Sequence, residues 1–499
     1  MSNLSELIPA GGGQNNTDFV ADGGITSGKP VILTAAGKAA QVVQTSPAVT
    51  FAAGTPVEFN GDADTNFLAM AYDSSNNKIV LAYRNGYFTP ASAGACIIGT
   101  VSGTTTSWGT PVIFSSGEAG NMGIAFDSTN NKVVIAYRDE ADSDKGKAIV
   151  GTVSGTSISY GTAVEFEAGD AQEINCEFGN GQVLITYVDT DDTYTTKAVV
   201  GTVSGTSISF GTVVSSGWTW SLNPTASYDS TANKFYFAFR DNLASNYGSS
   251  AVITVTGTTP AFGSAVTFIS ASVSTGGDPV LGVTYDSVAD KMVVAYYNLP
   301  LNKGYAVVAT ITGTTPSYGT AVIFNNNGDT EAITSGYDPD TGKHVIVYKD
   351  QDVTNDPGMA IEGTVSGTSI SFGTAIIYQA TTAPHYQAMA YDTSNNKFVN
   401  AYQVNTGKGN AVVITTGQDE VTNLTATNLL GIASAAILDT ATGTINTWGS
   451  RNEVQTGLTI ASDYYVQSDG TITTASASPA QLIGEAITAT QINIKDYTG

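Results

Sequence analysis

The segment MAYDSSNNKIVLAYR at residues 70–84 and the hairpin VSGTTTSWGTPVIF at residues 101–114 decide the fold. In the first segment, Tyr72 is followed eleven residues later by a second aromatic residue, Tyr83. The pair recurs as Phe126/Tyr137, a shortened Phe178/Tyr187, Tyr228/Phe239, Tyr285/Tyr296, Tyr337/Tyr348 and Tyr391/Tyr402. A glycine after the hairpin aromatic returns every 50–56 residues, at Gly109, Gly161, Gly211, Gly263, Gly319 and Gly373. Four strand-like segments in a period of this length predict the blades of a β-propeller.

The last repeat is incomplete, and a segment near the N-terminus matches the part that it lacks. The seventh repeat stops after its third strand, AVVITT at residues 411–416. The segment PAVTFAAGTPVEF at residues 47–59 has the pattern of a fourth strand. An open sheet edge would invite aggregation, so we expect this segment to pair with the last repeat. The sequence therefore predicts an all-β chain with a seven-bladed β-propeller closed by an N-terminal strand.

The two ends of the chain leave the repeat pattern. Residues 1–20 are polar and glycine-rich, which predicts an N-terminal anchoring arm. Residues 21–45 and 420–499 share a strand–turn–strand pattern, so we assign them to one small β base domain formed by both termini. Residues 46–419 form the predicted propeller. Because antiparallel neighbours alternate in direction, the chain should enter and leave the ring on one face.

Composition limits the classes of partner. The chain of 499 residues has 43 acidic and 19 basic residues, with a net charge of −24. Nucleic acid and anionic membrane surfaces would be repelled, so neither is an expected partner. The N-terminal sequence lacks the pattern of a secretion signal, which predicts synthesis in a cytoplasm. The two cysteines, Cys96 and Cys176, lie at inward strand positions and are expected to be free buried thiols.

Variable loops on one rim of the predicted ring point to binding. The loops between second and third strands and between repeats differ widely, whereas the opposite hairpins are uniform. Variation on one rim of a rigid scaffold is how repeat proteins host binding sites. Aromatic side chains there could stack on sugars, or they could simply cover the blade ends. The candidate ligand-binding residues are Tyr87, Phe88, Tyr194, Trp218, Trp220, Tyr247 and Tyr386.

Neither a metal site nor a catalytic centre is predicted. The repeated DSxNNK segments resemble calcium loops, but Asp and Asn also close such hairpins without a metal. Two acidic loops are better cation candidates: Asp139, Glu140, Asp142 and Asp144 in one, and Asp189, Asp191 and Asp192 in the other. Arg84, Arg138 and Arg240 could bind an anionic sugar, although rim salt bridges are the simpler interpretation. With two histidines, His344 and His385, we predict no catalytic residues and no cofactor, while a carboxylate pair for glycoside cleavage stays open.

Three terminal segments carry a resemblance to a known group of proteins. They are LSELIPAGGGQN at residues 4–15, FVADGGITSGKPVILTAAGKA at residues 19–39 and GLTIASDYYVQSDGTITTASASPAQLIGEAITATQINI at residues 457–494. They resemble segments of tailed-bacteriophage virion proteins, often labelled tail or head fibres. The resemblance implies that the ends attach to a particle and that the ring is displayed on its exterior.

We therefore predict a non-enzymatic virion appendage, a tail or head fibre or a capsid decoration protein. Its partners would be other virion proteins, further copies of itself, and a host-surface glycan or protein. It would be made in the host cytoplasm and displayed on the virion, without nucleic-acid binding or membrane insertion. Two alternatives stay open: a glycan depolymerase with a propeller fold, and a purely structural capsid decoration.

Overall fold

The computed structural model describes residues 15–46, 49–61, 64–86, 92–273, 280–418, 421–425, 427–476 and 481–495. Most of these residues lie in β-strands, with short 3-10 turns at Glu140–Asp142 and Leu299–Leu301. Within them, no helix has the length and apolar character needed to cross a bilayer. The chain divides into two compact units. We call Met1–Val49 with Gln418–Gly499 the base unit, and Thr50–Gly417 the repeat unit.

The chain begins with six short strands. They are β1 Asn16–Val20, β2 Pro30–Leu33, β3 Ala39–Gln41, β4 Gln44–Ser46, β5 Ala52–Ala53 and β6 Val57–Asn60.

The first three repeats follow and share one thirteen-stranded sheet. Its strands are β7 Thr65–Asp73, β8 Lys78–Asn85, β9 Ala93–Ser102, β10 Thr105–Trp108, β11 Val112–Asp127, β12 Lys132–Asp139, β13 Lys145–Ser154, β14 Ser157–Tyr160, β15 Val164–Gly179, β16 Gln182–Asp189, β17 Thr195–Ser204, β18 Ser207–Phe210 and β19 Val214–Thr219. The repeats are joined because β11 and β15 each continue from one repeat into the next.

Three further repeats form separate five-stranded sheets. Their strands are β20 Ser221–Asp229, β21 Lys234–Asp241, β22 Tyr247–Thr256, β23 Thr259–Phe262, β24 Val266–Ser272, β25 Leu281–Asp286, β26 Lys291–Asn298, β27 Lys303–Thr312, β28 Thr315–Tyr318, β29 Val322–Asn325, β30 Thr330–Asp338, β31 Lys343–Asp350, β32 Gly358–Ser366, β33 Ser369–Phe372 and β34 Ile376–Gln379. The seventh repeat contributes β35 Pro384–Asp392, β36 Lys397–Val404 and β37 Gly409–Thr415.

The sheet of the seventh repeat is completed by the N-terminal segment. Strand β37 pairs antiparallel with β5 and with β6. These two strands lie where the sequence predicted that a fourth strand would come from the N-terminal side. The pairing satisfies the backbone groups on the outer edge of β37, which would otherwise be open.

The predicted fourth strand is split into two pieces in each repeat. In the first repeat, β9 pairs both with β10 and with the start of β11, on either side of Gly109. A Cβ atom on Gly109 would collide with the carbonyl oxygen of Thr156 in the hairpin of the second repeat. Gly54, between β5 and β6, makes the same close approach to Thr104 of the first repeat. At Gly54 and Gly109, glycine is therefore required where neighbouring repeats touch.

The second aromatic residue of each recurring pair is buried where neighbouring repeats pack. Tyr137 in β12 is 2 % exposed, and its ring meets that of Phe114 from the preceding repeat at 5.2 Å. Tyr83 in β8 is fully buried and meets Phe59 of β6 at 5.5 Å in the same edge-on manner. Edge-to-face pairs of this kind stabilise a core beyond the area that they bury. Both cysteines are free and buried between strands, as predicted.

The base unit contains two five-stranded sheets and a short pairing of β4 with β38 Val421–Thr422. One sheet has the order β1-β40-β39-β2-β3, and the other has the order β41-β45-β44-β42-β43. The remaining strands are β39 Leu429–Ala433, β40 Thr442–Asn446, β41 Arg451–Asn452, β42 Asp463–Val466, β43 Ile472–Thr473, β44 Gln481–Thr488 and β45 Gln491–Ile494. Ile32 and Leu429 of the first sheet share a core cluster with Ile483 of the second.

Part of the predicted arm is ordered in the base unit. The arm was predicted over residues 1–20, of which residues 1–14 lie outside the described part of the chain. Residues 16–20 instead form β1, which pairs antiparallel with β40. Phe19 packs against the buried cluster of Ala21 and Leu430, which gives this strand an apolar anchor despite its polar surroundings. The arm predicted from polarity alone is therefore too long.

Aspartates close the uniform hairpins between first and second strands. In the second repeat, Asp127 is buried and its Oδ1 accepts hydrogen bonds from the backbone N–H groups of Thr129 at 2.9 Å and Asn130 at 3.0 Å. Asn131 then adopts a left-handed backbone with φ of 54°. The same capping occurs at Asp73, Asp229, Asp286, Asp338 and Asp392. The DSxNNK segments thus form turns held by their own side chains, as predicted.

The third repeat departs from this pattern. Gly179 stands where the other repeats carry the aspartate, and Glu177 occupies a first-strand position that holds Ala71 and Ala125 in the preceding repeats. Burial is the one effect acting on this carboxyl group, and it raises the pKa of Glu177 to about 8. An acidic side chain thus replaces a small one inside a packed strand.

We predict that Asp127→Ala lowers the free energy of unfolding by about 1–3 kcal/mol, because the backbone N–H groups of Thr129 and Asn130 lose their charged acceptor. Urea denaturation followed by circular dichroism measures the change. Ser128→Ala is the matched control, since Ser128 is exposed in the same turn. Equal stability of the two variants would contradict this role for the aspartate.

We also predict that Glu177→Gln stabilises the protein in a pH-dependent manner. With its raised pKa, the folded state holds a proton that the unfolded state releases above its ordinary pKa of about 4.3. The stability of the natural protein should therefore fall as pH rises from about 4.3 to 8, by at most about 1.4 kcal/mol per pH unit. The Glu177→Gln variant should not lose stability in this way as the pH rises. Thermal unfolding at pH 5 and pH 8 should show that the stability gained by the variant over the natural protein is larger at pH 8. An equal gain at both pH values would contradict the assignment.

Candidate functional site

Each first strand in six of the repeats contains a β-bulge near its start. The register with the second strand breaks at Asn66/Ala69, Gly120/Gly123, Gln172/Asn175, Leu222/Thr225, Glu331/Thr334 and His385/Ala388. The first residue inside each bulge has a positive φ between 42° and 52°: Phe67, Asn121, Glu173, Asn223, Ala332 and Tyr386. None of these bulge residues is a glycine. The same strained conformation is thus repeated at equivalent positions.

This backbone conformation is unfavourable for most of these residues. Asn tolerates it, but for Phe67, Glu173 and Tyr386 it costs on the order of 1–3 kcal/mol each. Packing of the surrounding sheets must hold the bulges in place. Strain of this kind concentrates at ligand sites, so the bulges mark a candidate functional site.

The bulges converge on one cavity, which we call the bulge cavity. Its volume is about 250 Å³. It is lined by Phe67, Leu68, Asn121, Met122, Glu173, Ile174, Asn223, Pro224, Thr225, Val280, Leu281, Ile333, Thr334, Tyr386 and Gln387. These residues come from the first strands of all seven repeats or, for Val280, from the residue just before one. The seven repeats therefore contribute unequal side chains to a single site.

One part of the wall is aromatic. The rings of Phe67 and Tyr386 lie 5.7 Å apart and are tilted by 50°. The guanidinium carbon of Arg84 lies 4.7 Å from the centre of the Phe67 ring. This cation–π contact helps to hold the ring in place. Gln387, next to Tyr386, donates to the carbonyl oxygen of Ala332 at 2.6 Å and accepts from Asn400 at 2.7 Å. The aromatic wall is thus held by buried polar contacts.

Another part of the wall is polar and comes from three consecutive repeats. Asn121, Glu173 and Asn223 occupy the equivalent bulge positions of repeats two, three and four. Burial raises the pKa of Glu173, while a backbone hydrogen bond from Asn223 and the positive charge of Arg240 act in the opposite direction. Burial lowers the pKa of Arg240, and Glu173 opposes that change. This wall offers one carboxyl group and two amides to a ligand.

Ion pairs surround the arginines of the first two repeats. Arg138 binds Asp170 through Nε at 2.6 Å, Glu140 at 3.0 Å and Asp144 at 3.0 Å. Arg84 lies 3.3 Å from Glu140 and also approaches Glu118. Rim salt bridges were the simpler prediction for these two residues, and they are present. Arg240 differs, because its acidic neighbour is Glu173 of the bulge cavity.

Lysine side chains from the strands that follow pair with the acidic loops that were cation candidates. Lys147 Nζ lies 2.8 Å from Asp139 and 2.6 Å from Asp142, and Lys197 contacts Asp189 and Asp192 in the next repeat. Across the described ranges, no group of three or more histidine, cysteine or acidic side chains is arranged to hold a metal ion. In both loops, lysine side chains thus form ion pairs with the acidic groups.

The two histidines lie apart. His344 is buried and its Nε2 is 3.2 Å from Asp286 beneath a turn, whereas His385 contacts Asn405 at 3.1 Å.

The structure separates the aromatic residues that the sequence grouped on one rim. Tyr386 lines the bulge cavity, while Tyr194 and Trp220 stack on each other with ring centres 3.9 Å apart. Tyr247 begins strand β22 and pairs with Asp241. Tyr87 and Phe88 lie outside the described residues.

Trp218 is placed differently from the prediction. Its ring stacks on Phe239 at 5.4 Å and meets Phe262 edge-on at 5.4 Å. This is the contact that Phe114 makes with Tyr137 in an earlier repeat, so Trp218 serves as the interlocking aromatic of its repeat. Trp218 therefore takes part in the packing between repeats while staying partly exposed.

Sequence reasoning missed most of the cavity wall, although a positional signal existed. Each bulge residue lies five positions before the first aromatic of its repeat, as Phe67 precedes Tyr72 and Glu173 precedes Phe178. The residue type at this position varies among Phe, Asn, Glu, Ala and Tyr, whereas its place in the repeat is constant. Comparing positions across repeats, instead of searching for loop aromatics, would have found them.

Comparisons with known proteins bear on the fold. No protein-family model and no curated protein matches the sequence. Among solved structures, the BP39L lectin from Burkholderia pseudomallei is similar, with 11 % identity and a TM-score of 0.51, over 73 % of this chain and 99 % of that chain. A protein from Lactobacillus plantarum has 12 % identity and a TM-score of 0.42, over 62 % of this chain and 83 % of that one. At such low identity, the likeness to the lectin shows the fold alone: an all-β protein of the β-propeller type.

Proposed function

We propose that the repeat unit is a closed seven-bladed β-propeller that binds a glycan on a host-cell surface through the bulge cavity. The chain as a whole would be a non-enzymatic appendage of a virion, a tail or head fibre or a decoration protein. The amphipathic lining of the bulge cavity is the observation that carries the binding proposal. The other parts rest on the contacts and sequence segments described below.

Closure of the ring is supported by contacts between the first and seventh repeats. Gln403 of β36 donates to Asn66 of β7 at 2.8 Å, and Ser394 donates to Asn77 at 2.7 Å at the opposite ends of these strands. Together with the pairing of β37 with β5 and β6, these bonds join the two ends of the repeat array. A closed ring leaves only short, protected sheet edges, which suits a highly repetitive β protein.

Carbohydrate is the ligand class that the cavity suits best. A sugar ring has an apolar face that stacks on aromatic side chains and an edge of hydroxyl groups that needs hydrogen-bond partners. Phe67 and Tyr386 offer the first kind of surface, while Asn121, Glu173 and Asn223 offer the second. The volume of about 250 Å³ lies just below the range of about 300–1,000 Å³ for drug-sized ligands. It suits one terminal sugar residue.

The lining also supports binding without cleavage. Most glycoside hydrolases use two carboxyl groups flanking the scissile bond. Among the described residues that line the cavity, Glu173 is the one acidic side chain. A ligand bound here would meet a single carboxyl group and two amides.

The assignment to a virion rests on the terminal segments of the sequence. The segments at residues 19–39 and 457–494 that resemble phage fibre proteins fall in the base unit. We assign attachment to other virion proteins to this unit, together with the arm at residues 1–14, and host contact to the repeat unit. A shallow single-sugar site binds weakly, so many copies on one particle would be needed for firm attachment.

We predict that a Phe67→Ala/Tyr386→Ala double variant loses at least tenfold in glycan affinity, because the stacking surface is removed. Ala332 already occupies an equivalent bulge, so alanine fits this backbone. A glycan array followed by calorimetry with the best binders measures the effect. Tyr194→Ala is the matched control, since it removes an aromatic that does not line the cavity.

Four outcomes separate the hypotheses. Loss of binding in the double variant alone supports the proposal. Unchanged binding would contradict the cavity as the site. Shortened chains after incubation of the natural protein with host polysaccharide would favour the depolymerase, and fragile particles with normal adsorption after deletion would favour structural decoration.

A further inference from the structure

Glu173 differs from its equivalents in the other repeats. The bulge position holds Phe67 and Tyr386 on the aromatic wall, and Asn121 and Asn223 on either side of Glu173. Among the described repeats, no other bulge residue carries a carboxyl group. The cavity therefore carries an acidic group at one defined point of an otherwise uncharged lining.

The protein side of this carboxyl group is already occupied. The backbone N–H of Asn223 donates to it, and Arg240 in β21 acts on it by charge. Arg240 is not among the residues that line the cavity, so it lies behind the wall. A carboxylate has about four acceptor positions, and the contacts with Asn223 and Arg240 leave some of them directed at the cavity. A ligand would meet the oxygen atoms of Glu173 and not the guanidinium group.

We propose, on the basis of the proposed glycan-binding function, that Glu173 determines the specificity of the bulge cavity. It accepts hydrogen bonds from hydroxyl groups of an uncharged terminal sugar and excludes sugars that carry a carboxylate or sulfate. A hydroxyl donor gains a charge-assisted bond at this point. A second anion would stand beside the ionised carboxylate of Glu173, and the two like charges would repel each other.

Matched sugar pairs test this assignment. Glucosides and glucuronides differ only in whether C6 carries an alcohol or a carboxylate, and galactosides and galacturonides form a second pair. The ratio of affinities within each pair is measured for the full chain by array and calorimetry. Glu173→Gln keeps the shape and one acceptor oxygen but removes the charge. Glu173→Asn places there the residue found at Asn121 and Asn223, which tolerates the left-handed backbone.

For Glu173→Gln we expect the uronide-to-glycoside affinity ratio to rise at least tenfold, while binding of the glycoside falls less than about fivefold. Glu165→Gln, at an exposed position of the same strand β15, should leave the ratio unchanged. Circular dichroism and thermal unfolding verify that each variant is folded, and Glu173→Asn replaces Glu173→Gln if the latter is not. If the natural protein binds glycan but Glu173→Gln leaves the affinity ratio unchanged, this inference alone is overturned. A natural protein that binds no glycan overturns the proposed function as well.

Discussion

Backbone hydrogen bonding at the outer edge of β37 is the interaction on which the arrangement of the repeat unit depends. The seventh repeat supplies three strands and then ends, so the last of them needs a partner from elsewhere in the chain. Strands β5 and β6 provide it, and Gly54 between them donates from its backbone N–H to the carbonyl oxygen of Val413 at 2.8 Å. Phe59 then fills the aromatic contact with Tyr83 that other repeats make with their own neighbours. One short segment thus supplies both hydrogen bonds and packing.

The pairing of β37 with β5 and β6 also explains how strained bulges can persist. A residue such as Phe67 or Tyr386 adopts a positive φ only if its surroundings hold it there. Sheets that pack on both sides, with interlocking aromatics such as Phe114 and Tyr137, provide that support. The strain is therefore balanced by packing energy distributed over the repeats. At the bulges, side chains of different character from separate repeats converge on one cavity.

Much of the fold could be predicted from the sequence because it is encoded by local pattern. The spacing of Tyr72 and Tyr83 indicates two antiparallel strands, and the matching segment at residues 47–59 indicates the partner of the last repeat. Two features could not be read in this way. The splitting of the fourth strand at Gly109 depends on a contact with the next repeat. Strand β1 depends on its pairing with β40, which is more than 400 residues away in the chain.

The candidate site was harder to predict for a related reason. A positive φ at Phe67 or Glu173 runs against the preference of the residue, so the residue type gives no sign of it. The search for exposed aromatics found Tyr386 in the cavity wall, but it also selected Trp218, which packs between neighbouring repeats. Repeat position, which is a property of the whole array, was the informative signal.

Hydrogen exchange of the natural protein tests the central claim, that the N-terminal strands close the repeat array. We expect the amides of Val57–Asn60 and Gly409–Thr415 to exchange as slowly as those of the equivalent strand β29, Val322–Asn325, because both sets are paired within a continuous structure. Exchange of the first two segments at the rate of an unpaired sheet edge, with β29 protected, would contradict the account.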